Sequence, residues 1–487
     1  MKKIINIRNI SLAILISVVS ACTNDFDELN TNPNAPTAEQ AAPDLLLTNA
    51  IESLTDRVHS IALGQEIGAG WVQYMAKVQY TDEDRYQPRV SDINTIWSGL
   101  YGTSGQDINK MYIVANANGH DNYKGVALVM NAYIMSVLTD LFGDVPYSEA
   151  FKGDPTDGGI LSPKYDTQES IYRALIANLD EANTLLDEDG EEIHGDILFE
   201  DDIALWKKFA NSLRFRLLLR MSAKDEAFVT QEMTEMYNNA DYPIFEGGES
   251  AALHYLGSAP NNNPINENRK TRDDHRVSKN TVDLLLELGD SRLSVYALPA
   301  ATGQYVGIPN GLTSAEAAKY NGNGLANTSK LGTYFTEAEA PGMLMSYSEL
   351  QFILAEAALK GYISADPEEY YYAGIDASYA QYDLSEDLED YLANPDVEYT
   401  SDEALEKILI QKYIAMFDQG LQGWFEWRRT GIPSLTPAAS GLNGGKIPVR
   451  LTYPLDEATR NPSNLQTAVT RQGADNLNTP VWWNIQP

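Results

Sequence analysis

The chain has 487 residues, of which 43% are hydrophobic and 21% charged, and it carries a formal charge of −34. That much apolar material excludes an acidic disordered chain, and that much negative charge opposes phosphate backbones and anionic headgroups, so nucleic acid is excluded as a partner. A single cysteine excludes an internal disulfide and a cysteine-based zinc cluster, because each needs at least two thiolates.

In chain order, the first element is a targeting segment. Lys2, Lys3 and Arg8 make a cationic start, and Ile10 to Val19 is nearly all apolar. That run is shorter than the roughly 20 residues needed to cross a bilayer. Val19-Ser20-Ala21-Cys22 follows and resembles the lipobox of bacterial lipoproteins. On that reading residues 1–21 are a signal peptide and Cys22 is the acylated N-terminus. Residues 22–40 are polar and proline-bearing, as a flexible tether is. Residues 41–487 read as one domain, since no linker-like break divides them.

Helical periodicity dominates that domain. Val126, Val129, Met130, Tyr133, Ile134, Val137, Leu138 and Leu141 recur at three- and four-residue spacing, with Gly143 as a stop. Asp166 with Glu169, Ser346 with Glu349 and Thr400 with Glu403 predict capping boxes, and Asp202 predicts a cap before Trp206, Phe209 and Leu213. Ser346 to Lys360 and Pro367 to Tyr382 have the helix-turn-helix size of a tetratricopeptide repeat. Trp71, Tyr74 and Val78 predict a helix that ends at Tyr80. Val449, Leu451 and Tyr453 alternate between Pro448 and Pro454, which confines them to a short extended piece. Two loop-rich stretches are expected, Tyr80 to Asp92 and Gly257 to Asn327. The fold class is therefore mainly α, a tetratricopeptide-like helical scaffold decorated by long loops with few short strands.

Catalytic and cofactor motifs are missing from the sequence. "GNGLANTSKLG" (Gly322 to Gly332) begins like a dinucleotide fingerprint but lacks the third glycine. The five histidines never stand at helical ligand spacing, and the acidic turn Asp187 to Asp196 has Glu192 where a calcium loop needs glycine. No cofactor and no metal is implied. Glycoside hydrolysis asks only for a pair of carboxylates, and 69 acidic residues leave it open as the enzymatic alternative.

The aromatic supply points to binding, with 28 tyrosines and seven tryptophans against twelve phenylalanines. Tyr and Trp offer a flat apolar face with a polar tip, which suits the C–H face of a sugar ring. In "YTDEDRYQPR" (Tyr80 to Arg89) charged and aromatic residues alternate ahead of a proline-interrupted backbone, so a tyrosine there has little apolar packing to satisfy. Trp97 also fits the inner face of a helix with Ile93, Ile96 and Leu100.

Several blocks together resemble the SusD/RagB-like nutrient-binding lipoproteins. They are "LFGDVPYSEA" (Leu141 to Ala150), "NSLRFRLLLRM" (Asn211 to Met221), "MSYSELQFILAEAALKG" (Met345 to Gly361), "WFEWRRTGIP" (Trp424 to Pro433), "IPVRLTYPLDEATRNPSN" (Ile447 to Asn464) and "VWW" (Val481 to Trp483). The resemblance implies a non-enzymatic protein, lipid-anchored to the outer membrane through Cys22 and facing the cell surface. It implies a SusC-like TonB-dependent transporter as partner and an oligosaccharide or peptide as ligand. It directs the ligand site to loops of the N-terminal third and the middle of the chain, hence to Tyr80, Asp82, Arg85, Tyr86, Arg89 and Trp97, and to Tyr305 and Tyr320. The quoted blocks themselves are expected to be structural: Gly143 and Pro146 in a turn, Arg428 and Arg429 paired with acids, Glu356 between helices.

Overall fold

The computed structural model describes residues 42–155 and 158–484; the apolar leader, Cys22 and the tether lie outside the described residues. The α-helices of ten residues or more are α1 (Pro43–Val58), α2 (Val90–Gly99), α3 (Gln106–Asn118), α4 (Asp121–Phe142), α5 (Gln168–Leu185), α6 (Ile203–Met221), α7 (Glu226–Asn238), α8 (Lys279–Leu288), α9 (Tyr347–Leu359), α10 (Pro367–Gln381), α11 (Ala404–Ala415), α12 (Gly420–Thr430) and α13 (Pro462–Gln472). Two π-helices, Ile61–Ala69 and Leu100–Gly105, lie among them. Among the described residues six short strands form three antiparallel pairs: β1 (Met75–Lys77) with β5 (His275–Val277), β2 (Val145–Pro146) with β3 (Tyr165–Asp166), and β4 (Ala251–Leu253) with β6 (Gly342–Met345).

The apolar stripe between Val126 and Leu141 sits on α4, which is buried along nearly all of its length. Among the described residues α4 alone is long and apolar enough to cross a membrane, yet 94% of its apolar window is buried inside the protein. It is the central core helix, with α3, α5 and α6 packed against it. Gly143 ends it at φ 84°, and a Cβ there would collide with the side chain of Gln472, whose Oε1 accepts from the N–H of Asp144. Farther along, α9 packs against α10 and α11 as stacked helical pairs.

Several caps differ from the sequence expectation. Asp202 does cap α6 through the N–H of Leu205. The cap of α5, however, is Thr167 and not Asp166, whose carboxylate instead accepts from the N–H groups of Tyr147 and Ser148. Ser346 caps α9 through the N–H of Glu349, but the Glu349 carboxylate does not return to the cap; it takes Arg216 at 2.6 Å. Thr400 is no N-cap either, since α11 starts at Ala404. Tyr74 and Val78 are buried as expected of an inner face, but the chain is extended there because β1 pairs with β5. The middle stretch holds α8, β5 and shorter helices among its loops, so it is more ordered than its Asn and Gly content suggests.

Charged residues from the family-like blocks form a buried web between helices. Arg220 of α6 bonds Oδ2 of Asp140 on α4 at 2.6 Å. Arg429 of α12 bonds Glu356 of α9 and Glu426, and Lys412 of α11 reaches Glu426 at 3.0 Å. Glu356 thus pairs across helices and does not cap one. Arg428 departs from its expected acid partner: Nη1 donates to the carbonyls of Asp140 and Val449, and its guanidinium lies 4.1 Å from the Trp424 ring centroid. Burial accordingly pushes Arg428 down to about 9.

Candidate functional site

The β1–β5 pairing decides which loops meet. Lys77 stands opposite His275, and Val78 N–H donates to Asp274 O, so the segment after β1 lies against the middle segment around Asn268 to His275. Between them, the first π-helix and the start of α2 is a cleft of about 570 Å³. Its lining includes Tyr80, Asp82 and Arg89 from the expected set, with Glu66, Lys77, Glu83, Arg272 and His275.

Four of these side chains form a closed ring of alternating charge. Lys77 Nζ donates to Glu66 Oε1 at 2.6 Å and to Glu83 Oε2 at 2.7 Å; Arg89 donates to Glu83 Oε1 at 2.6 Å and to Glu66 Oε2 at 2.8 Å. The ring has an inner and an outer cation, because the Lys77 side chain is 4% exposed and that of Arg89 is 53% exposed. Burial raises Glu66 more than Lys77 lowers it, whereas for Glu83 the bonds from Lys77 and Arg89 outweigh burial and hold the carboxyl below its usual range. His275 sits 4.0 Å from Glu66 with no hydrogen bond to Nε2 among the described residues, and burial beside Lys77 pushes it down to about 3, leaving it neutral.

Tyr80 lines the same cleft. It is 62% exposed, and the guanidinium of Arg272 lies 4.5 Å from its ring centroid. Its backbone is at φ 50°, a region that costs a bulky residue free energy and that the surrounding contacts must enforce. Those contacts are made by the buried members of the same loop. Asp84 accepts from Gly311 N and Asn310 Nδ2, both at 2.7 Å, and burial pushes its carboxyl up to about 6. Arg85 Nε donates to Ser440 O at 2.9 Å, and the hydroxyl of Tyr86 accepts from Ala438 N at 2.8 Å.

The loop therefore has two sides, and the candidate residues divide between them. Tyr80, Asp82 and Arg89 face the cleft. Arg85 and Tyr86 latch the loop from below and do not line it. The expectation of little apolar packing fails for Tyr86, which is 3% exposed and packs edge-on to Trp71 at 6.4 Å. Trp97 lies on α2 beside a different cavity, with Tyr101, Phe142, Tyr165 and Tyr453 within 6.4 Å. Tyr305 and Tyr320 are half-buried, Tyr305 against the main core and Tyr320 against a small cluster with Val78 and Ile308; neither lines the cleft.

Sequence reasoning missed Glu66, Lys77, Glu83, Arg272 and His275. Only the acid-rich "DEDR" gave a local signal, and the rest depends on a three-residue strand pairing across about 200 positions.

The protein is an acidic α-helical scaffold built on helical pairs, with an exposed aromatic ring lining a charged cleft. The chain belongs to the SusD-like family described as starch-binding and associating with the outer membrane, whose model matches residues 33–454. Among solved structures it is similar to a chitin-binding protein, with 26% identity and a TM-score of 0.81 over 91% of this chain and 100% of that one. A SusD homologue from Bacteroides fragilis is 27% identical, with a TM-score of 0.77 over 91% and 99% of the two chains. A chitin-binding SusD homologue from Flavobacterium johnsoniae shares the fold, at 24% identity and a TM-score of 0.79 over 91% and 98%. No curated protein matches the chain.

Proposed function

We propose that this protein is a cell-surface lipoprotein that captures an oligosaccharide in the Tyr80 cleft and delivers it to a SusC-like TonB-dependent transporter. The observation that carries the reading is the Tyr80 ring: exposed, mounted on Arg272 and fixed by a latched loop, it offers a preset apolar face beside hydrogen-bonding charges. A sugar ring needs both, a C–H face to stack and hydroxyls to bond. Membership of a family described as starch-binding and likeness to a chitin-binding protein of 26% identity support a glycan over a peptide.

The hydrolase alternative gains little from this cleft. A general acid must hold a proton and then release it at the scissile oxygen. Glu66 and Glu83 are each bonded by both Lys77 and Arg89, so neither is presented to a ligand without a cation on it. The family description, associating with the outer membrane, and the lipobox-like Val19-Ser20-Ala21-Cys22 support a lipid-anchored outer-membrane location.

Calorimetric titration of the detergent-solubilised full chain with malto- and chito-oligosaccharides tests the reading. Saturable binding by one series, weakened in Tyr80→Ala, with the glycan recovered uncut, is expected, as is co-purification of a large β-barrel protein. Release of new reducing ends would replace binding by hydrolysis.

A further inference from the structure

A second cavity, of about 590 Å³, lies between α2, the second π-helix, α3 and the segments Ala150 to Asp154 and Ile160 to Pro163. Its walls are mainly apolar: Trp97, Tyr101, Ile113, Phe151, Ile160 and Leu161. Phe151 also lines a neighbouring cavity of about 250 Å³, which shares Asn109 and Ala150 with the first.

Two features of the backbone were built at a cost. Residues Leu100–Gly105 form a π-helix, a geometry proteins keep mostly where function requires it. Phe151 adopts φ 63°, unfavourable for a bulky side chain, and a Cβ on Gly105 would stand 2.9 Å from its ring. The strained backbone and the missing side chain together seat Phe151 over the π-helix. The hydrogen bond from Ile160 N to Lys152 O ties the segment around Leu161, which is 82% exposed, to the residue beside Phe151.

On one face of α3, Gln106, Asn109 and Lys110 line this cavity, and among the described residues none of the three side chains makes a hydrogen bond or ion pair. The acids at the rim are engaged, since Glu457 accepts the Tyr165 hydroxyl at 2.5 Å and Asp154 has a partner of its own. Among the described residues the cavity thus presents one unpaired cation and two unpaired amides opposite an apolar wall. Trp97 does not supply the open stacking face that a sugar uses, because four other rings pack around it.

We propose that this cavity is a second ligand site, separate from the Tyr80 cleft, that takes a small carboxylic acid with a short apolar tail. Lys110 receives the carboxylate, Asn109 and Gln106 bond the polar atoms next to it, and the tail lies against Phe151, Ile113 and Leu161. A hydrophobic C-terminal residue of a peptide and a short acyl acid share this chemistry.

Isothermal titration of the detergent-solubilised full chain with N-acetyl-leucyl-leucine and with hexanoate, each against its primary amide, tests the proposal. At least one acid should bind about tenfold or more tightly than its amide, the size of one hydrogen bond to a charged group. The acid that shows this preference identifies the tail. In Lys110→Gln the preference should vanish with the melting temperature unchanged, and Leu161→Glu at the exposed rim should weaken the acid several-fold. Tyr80→Ala should leave it unaltered, so failure of the glycan reading and failure of this one are told apart. Equal binding of acids and amides, no binding of either, or an acid preference that survives Lys110→Gln overturns the proposal.

Discussion

The indole N–H of Trp483 donates to Oδ1 of Asp140 at 2.6 Å, joining residues 343 positions apart in a fully buried site. The same oxygen accepts the Tyr172 hydroxyl at 2.6 Å, while Oδ2 takes Arg220. One carboxylate on the central helix therefore gathers α5, α6 and the segment around Val481. Asp140→Asn keeps acceptors for Trp483 and Tyr172 but strands the Arg220 charge, and should cost about 3–5 kcal/mol in chemical denaturation. Removing the stranded charge as well, in Asp140→Asn/Arg220→Met, should recover much of that loss, because the amide oxygen still accepts from Trp483 and Tyr172. A single substitution that leaves the denaturation midpoint in place would show that this hub contributes little.

The two tyrosines of the cleft loop should respond in opposite ways. Tyr80→Ala removes an exposed ring, so glycan affinity should fall several-fold, about 1 kcal/mol or somewhat more, with little change in melting temperature. Tyr86→Ala removes a core ring and the acceptor of Ala438 N–H, so stability should fall by roughly 3–5 kcal/mol. Calorimetric titration and thermal melts on both variants check the pair. Equal melting temperatures would mean that Tyr86 does not latch the loop.

The contrast between Tyr80 and Tyr86 also marks what was legible in the sequence. Long-period signals read well: α4, the α9–α10 pair and the Asp202 cap follow from spacing and local hydrogen bonding alone. Charged side chains with a choice of partner did not. Asp166 and Glu349 have the right spacing for capping boxes, but each finds a stronger tertiary partner, two backbone N–H groups for one and Arg216 for the other. Within Tyr80 to Arg89 the composition located the cleft, yet it could not tell the face turned outward from the face latched to Asn310 and Ala438. That division depends on residues more than 200 positions away.

Lipid attachment at Cys22 is expected from the Val19-Ser20-Ala21-Cys22 seam. Cys22→Ala should leave a folded protein that is extracted without detergent and no longer incorporates labelled fatty acid, because the acyl chains supply the membrane affinity at about 0.8 kcal/mol per buried methylene. Continued labelling of the variant would place the anchor on another residue.

Asp418 should make stability depend on pH. It lies between α11 and α12, where Gln381 donates to Oδ2 at 2.8 Å and Oδ1 is buried without a hydrogen bond. Burial pushes its carboxyl up from 3.8 to about 7, against the smaller opposing effect of Gln381. A carboxyl raised on folding binds its proton more tightly in the native state. Below about pH 4 it is protonated in both states and costs nothing, and as pH rises toward 7 the unfolded chain ionises first and gains stability over the native one. The contribution of Asp418 to wild-type stability should therefore fall across about pH 4 to 7, by on the order of 1.4 kcal/mol for each pH step of one in that interval. Asp418→Asn keeps an acceptor for Gln381 and cannot ionise. Its stability relative to wild type should rise by a few kcal/mol between about pH 4 and about pH 8, and comparing the two proteins at each pH cancels the titration of every other group. A difference between them that stays flat over that range would show that Asp418 titrates alike in the folded and unfolded chains.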